Sequence, residues 1–462
     1  DVDIASLAGK LPEQIRNIRL DWDVRPVYKM VDTCAAEFDA VTPYFYSTYD
    51  DENEAVPDMN DRMLVLGSGP IRIGQGIEFD YCSVRAAQAL RAAGVHAIMA
   101  NSNPETVSTD FDTSDRLYFE PLDEEGIRDL LDNEANGDRA PASIVQFGGQ
   151  TAINLAGPLH RAALPIAGSS AATIDLAEDR GLFGEMLNRL DIPQPPGTIV
   201  TDLEQALQAG DAVGYPVLVR PSYVLGGRAM EIVQNANEMV TFFAAALEAG
   251  ADAGTNSVLI DKFLEGPEVE VDAVCDGEVV LIPGIMEHVE RAGVHSGDSV
   301  AVYPPQSLTQ PQIDSIVDYT TRMALELGVR GLMNVQFVIA EEADPHGTGV
   351  FIIEVNPRSS RTVPFISKVT NIPLVNLAVN IMLGKTLTEQ GYSGGLYPSM
   401  NLIAIKAPVF SMNKLTNVDT FLGPEMKSTG EVMGIDKSFA PAMRKALIAS
   451  SMNILPKTPF LL

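Results

Sequence analysis

The chain has 462 residues, 46% hydrophobic and 20% charged, which excludes a single small module and a mainly disordered chain and sets a prior of about three domains. Thirty-two Lys and Arg against 62 Asp and Glu give a net charge of −30, so nucleic-acid and anionic membrane partners are excluded and any polyanion must enter a local basic pocket. Cys34, Cys82 and Cys275 show no CxxC spacing and no apolar run reaches the ~18 residues that span a bilayer, so a reducing, cytoplasmic location is expected, with no disulfide framework or zinc site.

The chain opens at Asp1 instead of Met, with no basic region leading into an apolar core; a fragment or processed product is expected. From Leu7 to about Tyr49 apolar residues recur at helical spacing, which predicts short helices, and the acidic run from Asp50 to Glu54 before Pro57 predicts a linker. MLVLGSG and HAIMANS read as buried strands around the helical run Phe79 to Ala93, a βαβ unit. SIVQFGG adds a strand before a helix near Ile153 to Ala163, so residues 60 to about 175 read as an open α/β layer. A helix from Asp179 to Leu190 leads into DIPQPPG, a boundary signal. PVLVR and AMEIV predict a hairpin, and SVLIDKF and EVEVDAVCDG two strands after a helix, with Asp276-Gly277 a tight turn. Gly331 to Ala340 and Val350 to Val355 predict paired strands, followed by helices at Pro364 to Lys368 and Leu374 to Leu383. STGEVMGI and the helical KSFAPAMRKALIA close the chain.

Some of these segments carry chemistry. GSGPIRIGQG lies between a strand and a helix, where glycines let backbone N–H groups approach an anion; its spacing is neither GxGxxG nor a P-loop, and a turn that only packs helix on sheet explains it equally well. In RPSYVLGGRAME, Arg220 and Arg228 bracket Gly226 and Gly227, which suits a phosphate cover, although an exposed hairpin with solvated arginines has the same pattern. EVEVD alternates strictly, predicting a half-buried strand with its acids on a solvated face. FIIEVNPR is more specific. Glu354 and Asn356 sit two residues apart on one strand, with Gln336 on the expected partner strand, a set of oxygen donors suited to Mg²⁺ or Mn²⁺ chelated by nucleotide phosphates. An acid inside an apolar strand needs solvent, a cation or a partner, and Arg358 and Arg361 follow with donors for a phosphoryl group. No HxxxH or HExxH occurs, so a histidine metal site is not expected.

Taken in order, RIGQGIEFDY, NPETVSTDFDTSDRLYFE, EDRGLF, RPSYVLGGRAMEIV, MEHVERAGVHSGDS, GLMNVQF and EVNPRSSRTVPF resemble the large subunit of carbamoyl-phosphate synthetase, along essentially the whole chain. That family is built from two similar synthetase halves, and the wording here resembles the second. The resemblance implies an α/β ATP-grasp fold: residues 1–55 as the end of a helical oligomerisation domain, 60–175 as an open pre-ATP-grasp domain, 176–395 as the ATP-grasp domain with a small lid at 198–262, and 396–462 as the linker and start of a truncated allosteric α/β domain.

Residue by residue, the resemblance implies that Arg180 and Arg220 serve the nucleotide and that Gly226 and Gly227 belong to the covering loop. Asp261, Lys262 and Leu264 would line adenine, with Lys262 standing where a His is expected, and Glu268 would accept the ribose. Gly293, Val294, His295 and Ser296 complete the ATP site, while Glu268, His288, Val294 and Ser296 fall where the family holds a monovalent cation, K⁺. Gln336, Glu354 and Asn356 match the divalent-metal ligands, and Arg358 and Arg361, with Asn356, lie near the transferred phosphate. Glu78 and Glu105 map near the exit of an internal carbamate tunnel. Ser68 and Ile71 depart from the usual wording of the glycine turn. The implied activity is ATP-dependent phosphorylation of carbamate, feeding arginine and pyrimidine synthesis. Its implied partners are a glutaminase small subunit, the first synthetase half and further copies of the chain. Two other readings remain open: another carboxylate-activating ATP-grasp enzyme such as a biotin carboxylase, or a non-catalytic oligomerisation or regulatory fragment.

Overall fold

The computed structural model describes residues 1–35, 37–38, 42–57, 60–72, 75–135, 139–221, 229–252, 257–341, 344–411 and 421–452. Gly226 and Gly227 of the expected covering loop lie outside them. The chain divides into two compact units, Asp1–Ile71 with Phe79–Ala171 and Arg72–Glu78 with Ala172–Leu462.

In the first unit β1 (Val27–Met30), β2 (Tyr44–Thr48), β3 (Arg62–Leu66), β4 (His96–Asn101), β5 (Arg116–Phe119), β6 (Ala142–Ile144) and β7 (Ile166–Ala167) form a sheet in the order β1-β2-β5-β4-β3-β6-β7. β3 and β4 are parallel neighbours with helix Glu78–Ala92 between them in sequence, the expected βαβ unit. All other neighbouring pairs except β1 and β2 are parallel too. Parallel strands are covered on both faces, which is why Leu64, Val65, Leu66, Ile98 and Met99 are all buried.

The N-terminal stretch corrects the sequence reading. Helices form at Val2–Ala8 and Pro12–Asp21, but Val27–Met30 and Tyr44–Thr48, expected as helix, pair antiparallel and extend the sheet beside β5. Tyr28 and Phe45 place their ring centroids 5.0 and 5.5 Å from that of Tyr118. Such aromatic packing on a pleated surface outweighs a weak helical periodicity. The glycine turn after β3 is packed closely: a Cβ on Gly67 would lie 2.6 Å from Asn101 Cγ, and Asn101 Oδ1 accepts the Gly69 N–H at 3.0 Å. Packing therefore accounts for the start of this motif.

In the second unit β8 (Gly197–Val200), β9 (Val217–Pro221), β10 (Glu231–Val233) and β11 (Val258–Lys262) make an antiparallel sheet in the order β10-β9-β11-β8. Helices Leu203–Val213 and Ala236–Asp252 pack on it, burying Val217, Val219, Val258 and Ile260 with Met239 and Phe243. A nine-stranded sheet follows, built from β12 (Pro267–Cys275), β13 (Val280–Ile282), β14 (Ile285–Arg291), β15 (Ala301–Tyr303), β16 (Gly331–Ile339), β17 (Val350–Asn356), β18 (Gly395–Leu396), β19 (Ile403–Val409) and β20 (Gly430–Asp436). Its main path runs β17-β16-β12-β14-β15-β19-β20, and β13 joins β12 to β18. β19 and β20 lie beyond the boundary expected at residue 395 yet continue this sheet through β15, and helix Phe439–Ala449 packs Ala442 and Ala446 against Ile405 and Ala407.

β12 is the second correction. Its alternation predicts acids facing water, yet every residue from Glu268 to Cys275 is buried. The strand is central, between β14 and β16. Val269, Val271, Ala273 and Cys275 share a core with Ile316, Tyr319, Met323 and Leu327 of helix Gln310–Leu327, each large apolar side chain contributing about 1.5–3 kcal/mol when fully buried. The acid-bearing face is covered by polar groups.

Candidate active site

Strand register builds the site. Glu270, Gln336 and Glu354 are cross-strand partners on β12, β16 and β17, and Asp272, Asn334 and Asn356 form the adjacent row. Directly paired residues project to the same face, so these polar side chains share one side of the sheet. Asn356 Nδ2 donates to Glu354 Oε1 at 2.7 Å, and Gln336 Nε2 donates to Ser296 Oγ at 3.1 Å, which leaves the Gln336 amide oxygen for another partner. Asn356 Oδ1 accepts from Arg358 Nη2 at 3.2 Å, so a metal at that oxygen would have to displace the guanidinium. Glu354 and Gln336 are the better-placed donors. Among the described residues no group of three or more His, Cys, Asp and Glu is assembled around a cation position. One carboxylate with amide oxygens fits a Mg²⁺ or Mn²⁺ that takes its other ligands from nucleotide phosphates and water, and does not fit an all-protein cage.

A second group sits on β9, β11 and the helix Arg180–Arg189. Arg180 Nη2 donates to Asp261 Oδ2 at 3.2 Å and its Nη1 to the Ile353 carbonyl at 3.0 Å. Arg220 Nε lies 3.6 Å from the same Asp261 oxygen. Two guanidiniums thus share one carboxylate, with Glu354 a second acid acting on Arg180, and the buried Arg220 Nε donates to no acceptor among the described residues. Burial, then the charge of Arg220, pushes the Arg180 pKa down, against the pull of Asp261 and Glu354. Lys262 Nζ donates to the carbonyls of Gly214 and Tyr215 at 2.9 and 3.4 Å, and Leu264 is buried.

The segment from Gly293 to Ser296 is held by groups that sequence reasoning passed over. His295 Nδ1 accepts the Gly297 N–H at 3.0 Å, so that nitrogen is unprotonated, and burial pushes the His295 pKa down. Its backbone N–H donates to the Gly423 carbonyl at 2.9 Å. Lys406, 1% exposed, donates from Nζ to the Ser296 carbonyl at 3.1 Å and lies 3.8 Å from Glu431. Asp298 caps the Lys427 and Ser428 N–H groups, both at 2.8 Å. A lysine inside the apolar strand IAIKAPV was a readable signal, since a buried ammonium needs acceptors.

Arg361 is placed differently from Arg358. Its guanidinium forms a two-point pair with Glu78, Nε to Oε2 at 3.2 Å and Nη2 to Oε1 at 3.3 Å, and Nη1 donates to Ser428 Oγ at 3.0 Å. Burial works against its charge, but Glu78 prevails and holds the Arg361 pKa up. Gly76 is required by this approach, since a Cβ there would lie 2.0 Å from Glu78 Oε2. A phosphate contact by Arg361 would have to compete with Glu78. Arg358 is half-buried, and desolvation pushes its pKa down. Glu105, in the first unit, is exposed, with its N–H on Asn103 Oδ1 at 3.1 Å.

His288 lies between two acids, with Nδ1 3.5 Å from Glu268 and Nε2 3.5 Å from Glu270. Burial alone would lower its pKa, but the two carboxylates prevail and raise it to about 9; burial likewise opposes the ionised Glu270, whose pKa His288 pulls down. A folded pKa above the unfolded value gives stability that is fully present below about pH 6.5 and lost as pH rises through about 9. A rise from 6.5 to about 9 corresponds to roughly 3 kcal/mol. Urea unfolding of the native chain at pH 6, 7.5 and 9 should therefore show a decline that His288→Asn lacks; equal pH slopes in the two proteins would refute the charged His288.

Solved structures place this fold among the ATP-grasp proteins. The biotin carboxylase domain of Hydrogenobacter thermophilus 2-oxoglutarate carboxylase matches with a TM-score of 0.64 at 21% identity, covering 85% of this chain and 90% of that one. Campylobacter jejuni biotin carboxylase matches with a TM-score of 0.63 at 16% identity, covering 84% and 91%. The family model described as carbamoyl phosphate synthase preATP-grasp domain matches residues 59–176, and that described as carbamoyl-phosphate synthase L chain, ATP binding domain matches residues 179–390. The chain belongs to the carbamoyl phosphate synthase large-chain family. It is 58% identical over 464 aligned positions to the carbamoyl phosphate synthase large chain of Thermomicrobium roseum, covering 100% of this chain and 42% of that relative; it thus spans less than half the length of the curated protein it matches.

Proposed function

We propose that this chain phosphorylates carbamate, converting carbamate and ATP to carbamoyl phosphate and ADP as the second synthetase half of a longer enzyme. The observation that carries the reading is the pairing of Glu354 and Gln336 on neighbouring strands in a chain that also gathers Arg180 and Arg220 on one carboxylate. A carbamate oxygen attacks the γ-phosphorus as the bond to the β,γ-bridging oxygen breaks, and ADP leaves with that oxygen. No protein nucleophile is needed, so positioning and electrostatics supply the catalysis. Arg180 and Arg220 bind nucleotide phosphate, Arg358 orients the transferred group, and Asp261, Leu264, Glu268 and the 293–296 segment hold the nucleoside. Mg²⁺ or Mn²⁺, held by Glu354 and Gln336 with Asn356, would neutralise phosphate charge. K⁺ near Glu268 and Ser296, the glutaminase and first-half partners, self-association and a cytoplasmic location belong to the same reading.

The purified chain should form ATP from carbamoyl phosphate and Mg·ADP, because phosphoryl transfer uses one site in both directions. It should not make carbamoyl phosphate efficiently from bicarbonate and glutamine, since a single EVNPR-type copy is present. Nucleotide binding without ATP formation would favour a non-catalytic role, and phosphorylation of another carboxylate in place of carbamate would favour the biotin-carboxylase-like alternative.

A further inference from the structure

The loop from Pro357 to Thr362 joins β17 to helix Val363–Thr370 and carries Arg358 and Arg361. Two of its hydroxyls are bound to one carboxylate of β12. Ser360 Oγ donates to Asp272 Oδ1 at 2.6 Å and Thr362 Oγ1 donates to Asp272 Oδ2 at 2.7 Å. The Thr362 N–H closes the loop on Ser360 Oγ at 3.1 Å. Asn334 Nδ2 bridges from the far side, to Asp272 Oδ1 at 2.9 Å and Glu270 Oε1 at 2.8 Å. Asp272 and Asn334 are each 1% exposed.

Removing a carboxylate from water is unfavourable, and apolar groups of similar shape often hold two segments together as well or better. What the acid adds is direction: three donors fix both oxygens of Asp272 in one orientation, and the loop hydroxyls must follow. β12 and β16 carry Asp272 and Asn334 beside Glu270 and Gln336, so the loop is registered to the same strands as the proposed metal site. We propose that Asp272, acting through Ser360 and Thr362, is a positioning residue that sets the guanidinium of Arg358 over the transferred phosphoryl group. The inference rests on the phosphoryl-transfer reading above. A displacement of about 1 Å in a catalytic group lowers rate on the order of 10²-fold, so precise registration of this loop has a kinetic consequence even when fold and nucleotide binding are intact.

The test is a double-mutant cycle on the full chain, following ATP formation from carbamoyl phosphate and Mg·ADP. Thr362→Val keeps the shape and removes the donor; Thr362→Ser keeps the donor. Thr362→Val should lower kcat by about 10- to 100-fold with KM for Mg·ADP within about threefold, and Thr362→Ser should restore most of the rate. In an Arg358→Ala background the same Thr362→Val change should lower kcat by less than about threefold, because the group being positioned is already gone. Equal loss in both backgrounds, or unchanged kcat in Thr362→Val, overturns the positioning role. If Thr362→Val does not fold, Ser360→Ala takes its place and is judged by the same ratio. A native chain that makes no ATP refutes the underlying reading instead, a result separate from any behaviour of the variants.

Discussion

Glu354→Gln is expected to lower ATP formation from carbamoyl phosphate by on the order of 10²- to 10³-fold, the loss typical of one electrostatic contact to a reacting phosphate or oxyanion. The change removes one negative charge and little else. A Gln side chain still offers an oxygen to Asn356 Nδ2, which now donates to Glu354 at 2.7 Å, and the half-buried position makes a stability change beyond about 1 kcal/mol unexpected. The metal requirement should rise, because a hard divalent cation loses the one carboxylate in a set otherwise made of amide oxygens. Titrating Mg²⁺ or Mn²⁺ at fixed ADP separates the two effects. Native activity at subsaturating metal would refute the assignment of Glu354.

The largest stability effect is expected at Glu78. Arg361 is 8% exposed, and its charge is balanced by two contacts to Glu78, at 3.2 and 3.3 Å. Glu78→Gln removes the carboxylate paired directly with this guanidinium and leaves it Ser428 Oγ, the Met426 sulfur and the charges of Glu431 and Asp298, which should destabilise the chain by about 3–5 kcal/mol, as when one member of a buried ion pair is lost. Glu78→Gln combined with Arg361→Met should be more stable than Glu78→Gln alone, since no buried charge is then left unpaired. Urea unfolding of the three proteins checks this. A Glu78→Gln chain as stable as the native one would show that the pair contributes little.

How much was legible beforehand depended on whether the signal was local. Glu354, Asn356 and Gln336 were readable because strand spacing fixes a shared face, and because an acid in an apolar strand demands a partner. The βαβ unit and the β16–β17 pair followed from short apolar runs bounded by turn signals. Asp272 was misread, since alternation looks the same whether the polar face meets water or other polar groups. Its partners Ser360 and Thr362 lie 88 and 90 residues away, beyond any local pattern. Val27–Met30 and Tyr44–Thr48 failed for a related reason: Tyr118, which decides their conformation, comes from another strand. Site roles for Arg180, Lys262 or His288 came from family wording, as their charged partners are brought close only by tertiary packing.

The continuation of the large sheet through β19 and β20 bears on where the polypeptide can be cut. Ending it at residue 390, where the ATP-binding family match stops, would strip β15 of its partner β19 and leave the N–H and C=O groups of Ala301–Tyr303 as an open edge able to recruit another chain. The same cut would remove Lys406 from the Ser296 carbonyl and Ser428 from Arg361. A shortened form meant to stay monodisperse should therefore retain everything through helix Phe439–Ala449, although that helix lies well outside the segment by which the family is recognised.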